Sequence, residues 1–428
     1  MAQQRHIVII GGGIIGCTTA YYLTRHPDFD IRTHKVVLLE AAPGVAAGAS
    51  GRAGGLLALW AYPACLVPLS FRLHAELADE HDGARRWGYR RLTCGSVSAT
   101  VTRSRLDDLC RRSVASSEPD AAGEGTWESL PKKDASASAL LEPAHLPPEL
   151  DWLDDQSVIG WAEMGYGETT PTAQVHPLHF TTSIAELAVE AGVELRTLAK
   201  VTNIVSIAGV EAVEYLDRRT GETKSLTGVT DVIVAAGPWT GRLLPSSKVS
   251  GLRAHSVVYE ADVSPFAVFT DIRLPSDFVP EHRARRGQKR MHKGSVDPEM
   301  YARPFGEVYA CGEPDSAVPL PETADEVQCD ESQCDDLSSY IATISPLLAA
   351  APIKAKQACY LPRHMRFGQE SGPLLGPTSV PGLWVAAGHT CWGIQNGPAT
   401  GKLMAEMLLG GAAVSADVDK LDPGKFRV

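Results

Sequence analysis

The sequence has no long hydrophobic run. Stretches such as Ile7–Ile10 and Val385–Ala387 fall far short of the ~20 apolar residues a membrane-spanning helix needs, so a soluble protein with no membrane span is expected. Residues 1–16 lack a basic region leading into a long apolar core, because Gly11, Gly12 and Gly13 interrupt the Ile7–Ile15 stretch, and no secretory signal is read there. The closing Lys425-Phe426-Arg427-Val428 is not a peroxisomal Ser-Lys-Leu address, which leaves a cytoplasmic location as the expectation. Positive charge is also scarce. The 40 Lys and Arg residues stand against 51 Asp and Glu, and the resulting net charge of -11 repels nucleic acid and anionic lipid, so neither is expected as a partner. The nine cysteines are odd in number, irregularly spaced and mostly in apolar surroundings, which argues against a disulfide framework. Cys329 and Cys334 flank Asp330 and Glu331 with a spacing that matches no metal site, and no metal is expected. Neither a Ser/His/Asp arrangement nor a His-Glu-x-x-His motif is found.

What is present is the composition of a folded enzyme, with 44% hydrophobic and 21% charged residues. At roughly 100–200 residues per domain, a chain of 428 residues predicts two or three domains. His6–Ile10 reads as a strand, Ile14–Leu23 as a helix and Lys35–Leu39 as a second strand, together one βαβ unit. Phe71–Trp87 and Pro177–Ala191 read as helices, and Ser113–Pro148 as surface loops. Val193–Val205 reads as one strand, followed by a hairpin around Asp217–Gly221 and the buried strand Val229–Ala236. Residues 252–312 read as further strands, interrupted by a solvated basic loop at Arg283–Lys293. Glu322–Leu348 reads as one helix, Leu383–Ala387 as a strand, His389–Gly397 as a turn, and Pro398–Leu409 as a helix with proline in its first turn.

Gly11-Gly12-Gly13-Ile14-Ile15-Gly16 fits G-x-G-x-x-G directly after a strand and at the start of a helix, and Glu40 lies 24 residues past Gly16 at the end of the next strand. In that setting Gly11 permits a tight turn, Gly13 lets a pyrophosphate lie on the helix N-terminus, and Gly16 allows helix and strand to pack closely. Glu40 can accept from a ribose hydroxyl, and its charge would repel a 2′-phosphate. The motif points to a dinucleotide and does not by itself separate FAD from NAD.

Three further segments resemble the D-amino-acid oxidase superfamily of FAD-dependent oxidoreductases, in the branch holding glycine oxidase and monomeric sarcosine oxidase. They are Gly48–Gly55, then Asp231–Trp239 with its Ala235-Ala236-Gly237-Pro238-Trp239 ending, and Leu383–His389 with Gly393–Gly401. Tyr301–Gly312 and Arg363–Gly376 look most like fungal members. The resemblance covers about residues 6 to 410 and implies an α/β fold. A Rossmann-type FAD-binding domain would be assembled from residues 1–80, 175–250 and 355–428, beside an α+β substrate domain, residues 81–174 and 251–354, with a mainly antiparallel sheet. It implies FAD as cofactor, held by Gly11, Gly13, Ile14, Ile15, Gly16, Glu40, Ser50, Arg52, Ala53, Gly54, Gly55, Val201, Ala236, Gly237, Trp239, Cys359, Gly388, Gly393, Ile394 and Gln395. The last helix would bring N–H donors near Gly393–Gln395 to the flavin N1/C2 carbonyl region. A thioether from Cys359 to the flavin 8α-methyl carbon is also implied, since Gln357-Ala358-Cys359-Tyr360 is similar to the segment that carries it in relatives.

The implied activity is oxidation of a C–N bond of a small-molecule amine or amino-acid-like substrate by hydride transfer to flavin N5, with O2 as acceptor. His389, Trp392 and Arg363 are the candidate residues around the substrate. Two departures narrow the expectation. Where relatives that oxidise amino acids carry a carboxylate-gripping arginine, this chain has Leu361, and the second such position falls in the apolar and aromatic Leu56–Trp60 stretch. A lysine that related oxidases use near O2 has no counterpart around Arg303–Gly312. The expected substrate is therefore a secondary, cyclic or bulky amine without a gripped α-carboxylate, with Arg363 and Arg52 the residues able to restore carboxylate binding. The alternatives are an FAD enzyme acting on C–OH or C–C bonds and a flavin-binding protein with a non-catalytic trafficking role.

Overall fold

The computed structural model describes residues 4–112, 146–165 and 171–428. Most of the Ser113–Pro148 stretch read as loops lies outside them. A six-stranded sheet runs in the order Leu374–Pro377, Leu383–Ala387, Asp231–Val234, Arg5–Ile10, His34–Leu39, Glu194–Arg196. All neighbours are parallel except the edge pair Leu374–Pro377 with Leu383–Ala387. The strands read as unbroken apolar runs because both faces are covered. Ile7, Ile9, Val36 and Leu38 pack under the helices, while Val8, Ile10, Val37 and Leu39 pack against Val213, Tyr215 and Leu226. The latter come from a three-stranded antiparallel sheet, Ala199–Ser206, Val210–Asp217 and Glu222–Thr227. Val193–Val205 is thus not one strand. Leu198, at φ 56, turns the chain between Glu194–Arg196 in the parallel sheet and Ala199–Ser206 in the meander.

The first helix, Ile14–Leu23, lies against the helix Gly393–Ala405, and the approach is backbone to backbone. Thr18 Oγ1 donates to Gly397 O at 2.9 Å, and a Cβ on Gly401 would stand 2.4 Å from the Thr18 carbonyl carbon. The closing helix begins at Gly393, five residues before the expected Pro398, so the proline is inside it. Proline cannot donate to the carbonyl four residues earlier. That carbonyl, on Ile394, is taken instead by His74 Nε2 at 3.0 Å, which is why the helix tolerates the ring. His74 comes from the helix Val67–His81, which starts earlier and stops sooner than the expected Phe71–Trp87, ending where Asp82 turns left-handed.

The second large sheet has nine strands and is antiparallel apart from one pair, Phe266–Arg273 with Thr93–Thr100. At its centre lie Val249–Glu260, Glu307–Cys311, Glu299–Arg303 and Phe266–Arg273. Ile353–Arg366 pairs along Val249–Glu260, so this stretch, assigned from sequence to the nucleotide-binding segment 355–428, belongs to the second sheet. One face, with Val257, Val268, Met300, Val308 and Ala310, is covered by the helices Glu331–Ala342 and Pro346–Ala350. The single helix expected over Glu322–Leu348 is therefore two. Asp330 caps the first by accepting from Ser332 N at 3.0 Å, and Ser345 with Pro346 opens the second. The basic loop is not wholly solvated either: Arg283 is buried, its Nε donating to Asp336 Oδ1 at 2.6 Å. The opposite face, with Ala267, Phe269, Tyr301 and Tyr309, looks toward the parallel sheet. Among the described residues no helix is long and apolar enough to cross a membrane.

Gly401→Val is expected to cost about 1–3 kcal/mol by forcing the two helices apart. Gly44→Ala, whose Cβ meets nothing within 4 Å, is the neutral control in the same thermal denaturation series.

Candidate functional site

A cavity of about 460 Å³ lies between the two large sheets, within the range of cofactor sites. Its first part is built by the turn after the opening strand. Gly11 sits at φ 113, and a Cβ there would stand 2.4 Å from Ala235 O. A Cβ on Gly16 would stand 1.9 Å from Gly11 O, so only hydrogen fits at either position. The first helix opens at Gly13 without a side-chain cap on its own Ncap residue, and Ser50 Oγ, arriving from the glycine-rich loop, accepts from Ile14 N at 2.9 Å. Glu40 is oriented by two backbone donors. Gly12 N reaches Oε2 at 2.6 Å and Ala42 N reaches Oε1 at 2.7 Å. Burial pushes this carboxyl above the usual range, against the pull of those N–H groups.

Gly11, Gly13, Ile14, Ile15, Glu40, Ser50, Arg52, Ala53, Gly54 and Gly55 all line this cavity. So do Val201, Ala236, Gly237, Trp239, Cys359, Gly388, Gly393 and Ile394 from later in the chain. Residues far apart in sequence thus converge on one space whose geometry fits an extended dinucleotide: side-chain-free backbone at a helix N-terminus, then an acid 2.6 Å from the turn, then a second helix N-terminus at Gly393. Gly16 is not in the wall and serves the packing of turn on helix, the role its place in the motif implies. One residue of the expected set is placed differently. Gln395 turns away, its Oε1 accepting from Ala58 N at 2.8 Å, which ties the strand Leu56–Ala58 to the closing helix.

Of the residues expected around the substrate, His389 and Trp392 line the cavity and Arg363 does not. The strand carrying Cys359 and Leu361 along the wall has left the cavity by residue 363, where its backbone bridges to His389. His389 is buried and its Nε2 lies 2.9 Å from Thr400 Oγ1. Burial lowers its pKa to about 3, so the ring is neutral at physiological pH and can orient a ligand without carrying charge. Cys359 is also buried, which raises its thiol to about 11, with the Arg52 guanidinium working in the other direction. Leu361, Pro362 and Leu56 complete an apolar stretch of wall. Three cationic residues line the cavity elsewhere. Arg52 is turned to Ala358 O, while Lys200 and Arg242 are both paired with Glu322.

Sequence reasoning missed the far wall. Phe269, Tyr301, Tyr309 and Glu299 line it, on the cavity face of the nine-stranded sheet. The rings form a continuous edge-to-face series: Tyr62 to Trp392 at 6.0 Å, Trp392 to Trp60 at 5.5 Å, Trp60 to Phe269 at 5.9 Å, Phe269 to Tyr301 at 6.0 Å. Tyr309 then stacks on Tyr301 at 5.9 Å. The glycine loop is fitted against this wall, since a Cβ on Gly54 would come within 2.2 Å of the Tyr301 ring. Alternation in Glu299-Met300-Tyr301 was the available signal, because it puts residues 299 and 301 on one sheet face.

Residues 6–407 match the protein family described as FAD dependent oxidoreductase. The Saccharomyces cerevisiae protein TDA3 is 35% identical over 98% of this chain and 94% of its own length. Among solved structures, glycine oxidase from Bacillus cereus superposes with a TM-score of 0.63 at 18% identity, covering 97% of this chain and 99% of its own. L-proline dehydrogenase from P. horikoshii gives 0.64 at 16% identity, covering 100% and 98%.

Gly13→Val places a branched side chain beside Ser50 Oγ, which already lies 3.0 Å from the Cβ position. It is expected to lower bound flavin by about tenfold or more, because the side chain intrudes where phosphates meet the helix N-terminus. Flavin-to-protein absorbance after gel filtration checks this, with far-UV circular dichroism showing the fold retained.

Proposed function

Because the chain belongs to the FAD-dependent oxidoreductases of the D-amino-acid oxidase superfamily, we propose that it oxidises a C–N bond of an amine, with O2 receiving the electrons in turn. When bound, FAD supplies the two-electron acceptor to which the substrate's hydride passes. The residues that would hold it are the Gly11–Gly13 turn, Glu40 at the ribose, the Gly48–Gly55 loop and the N-terminus of the closing helix at Gly393 and Ile394. Those last N–H groups are suited to stabilising negative charge that develops on reduction. The protein's own work is to exclude water and to fix the substrate. His389, neutral and tied to Thr400, and Trp392, fixed between Trp60 and Tyr62, form the part of the wall nearest that helix.

The observation that carries this reading is the continuity of the glycine cradle with the aromatic wall inside one cavity. A cofactor and a small organic molecule would meet there away from solvent. The names of two fold neighbours, an oxidase of glycine and a dehydrogenase of L-proline, support C–N chemistry. Leu361 and Leu56 at the wall favour substrates without an α-carboxylate, since an unpaired carboxylate among apolar side chains is costly. Anaerobic mixing with a panel of secondary, cyclic and bulky amines is expected to bleach the oxidised flavin band, and admission of air to restore it. Bleaching by alcohols alone, or by no compound in the panel, would overturn the proposal. Turnover of glycine or sarcosine as efficient as that of the best amine would overturn its substrate class.

Cys359 is the proposed tether of the flavin. Its support is a sulfur at the cavity wall in the same strand as Leu361. Acid precipitation of the flavin-loaded protein is expected to leave a yellow pellet, and Cys359→Ala to release the flavin to the supernatant. A colourless pellet from the parent protein rejects the tether.

A further inference from the structure

Glu299 is a charged group in the part of the cavity that the amine reading treats as apolar. Strand register explains how it gets there. Phe269 lies opposite Glu299, and Glu299 opposite Cys311, on three neighbouring strands, while Tyr301 and Tyr309 form the next cross-strand pair on the same face. All of these side chains line the cavity, and Glu299 is only 6% exposed. Its Oε2 accepts from the Tyr301 hydroxyl and, at 3.7 Å, from Cys311 Sγ. Burial, with the adjacent Glu299 charge, drives the Tyr301 hydroxyl well above its ordinary pKa, so Tyr301 stays protonated and remains the donor. Phe269, across the strand pair from Glu299, meets Trp60 on one side and Tyr301 on the other.

A buried carboxylate on an aromatic cavity wall is a recognition set for an organic cation. The rings offer their negative faces to a cation within about 6 Å, and the acid offers a charge-assisted hydrogen bond or a direct ion pair. The same set rejects an anion, because a substrate carboxylate would face Glu299 at close range in a medium of low polarity. Of the cations at or near the cavity, Lys200 and Arg242 are held by Glu322 and Arg303, two residues beyond Tyr301 on the same strand, by Glu307, while Arg52 donates to Ala358 O.

We propose that Glu299 and the aromatic wall around it form a cation site that selects alkylammonium substrates lacking a carboxylate beside the reacting nitrogen. This rests on the amine-oxidising reading and gives that reading its specificity residue. Glu299 would hold the substrate as its ammonium, whose N–H proton passes to the carboxylate or to solvent before the neighbouring C–H bond gives up hydride, while Phe269 and Tyr301 line the space beside it.

The test uses FAD-loaded protein and two probes, tetramethylammonium and acetate, each titrated by calorimetry and by the shift of the flavin spectrum. Tetramethylammonium is expected to bind the parent protein and to bind Glu299→Gln about tenfold or more weakly, the loss expected for one desolvated charge pair. Acetate is expected to show the reverse order. With the best amine found in the bleaching panel, Glu299→Gln is expected to raise KM by about tenfold with a smaller change in kcat. Phe269→Leu keeps the acid and removes a ring, so it is expected to weaken tetramethylammonium while flavin content is unchanged; it also carries the test if Glu299→Gln fails to load flavin. Equal tetramethylammonium binding by parent and variants, or tighter binding of acetate than of tetramethylammonium by the parent, overturns the site. The two proposals fail separately. Amine bleaching with an unchanged KM in Glu299→Gln leaves the amine reading standing and removes the site, whereas Glu299-dependent cation binding without bleaching does the opposite.

Discussion

The turn from Gly11 to Gly16 is closer to its surroundings than any side chain permits, and most of the architecture follows from that closeness. Gly11 N donates to Leu39 O at 2.8 Å, and Ala235 N donates to Ile10 O at 2.9 Å, so the turn is fastened to the strands on both sides of it. A methyl group at Gly11 would collide with the carbonyl of Ala235, and one at Gly16 with the carbonyl of Gly11. The opening strand must therefore be central, flanked by segments from residues 34–39 and 231–234. The closing segment then joins beside the second of these, at residues 383–387. A chain that places its first strand in the middle of a sheet has to return to that sheet from distant positions. The intervening lengths are free to build the second sheet.

Charge is used differently in the two layers. The parallel sheet is apolar on both faces and buries few ionised groups, apart from Asp231, which Arg5 holds at 2.9 Å. The second sheet is fastened by ion pairs instead: Arg253 with Asp315, Arg283 with Asp336, and Glu307 with Arg303 and Lys354, to which His176 adds a hydrogen bond. Burial alone would raise the Glu307 carboxyl, yet His176, Arg303 and Lys354 together hold it far below the usual range. Removing one partner from such a group leaves a desolvated charge, which costs more than the pair itself contributes. The Arg303–Glu307 pair is cross-strand and fastens the two strands that carry Glu299 and Cys311.

Local physics made one half of the site legible in the sequence. Glycines at fixed offsets, an apolar strand before them and an acid after the next strand are short-range signals, and the residues that carry them converge on the cavity. The aromatic wall is long-range. Phe269 and Glu299 are paired across strands, and a period of two shows which residues share a face without showing which face meets the cavity. Asp330 and Ser345 are capping residues inside the stretch 322–348: the first starts a helix at Glu331, and the second starts another at Pro346. Pro398 misled for a related reason. Its missing donor is compensated by His74, more than 300 residues away, and no local pattern announces such a partner. Arg363 and Gln395 both fall outside the cavity wall: the backbone of the first bridges to His389, and the side chain of the second accepts from Ala58 N.

The close approach of Gly54 to the Tyr301 ring joins the glycine-rich loop to the aromatic wall, with no space for a methyl group between them. A shift of the loop would press on the Tyr301 ring, and through its hydroxyl on Glu299. Ligand-linked equilibria are reciprocal, so whatever factor a bound dinucleotide adds to the affinity of the wall for a ligand, that ligand returns to the dinucleotide. Residue 54 would carry that exchange although it has no side chain.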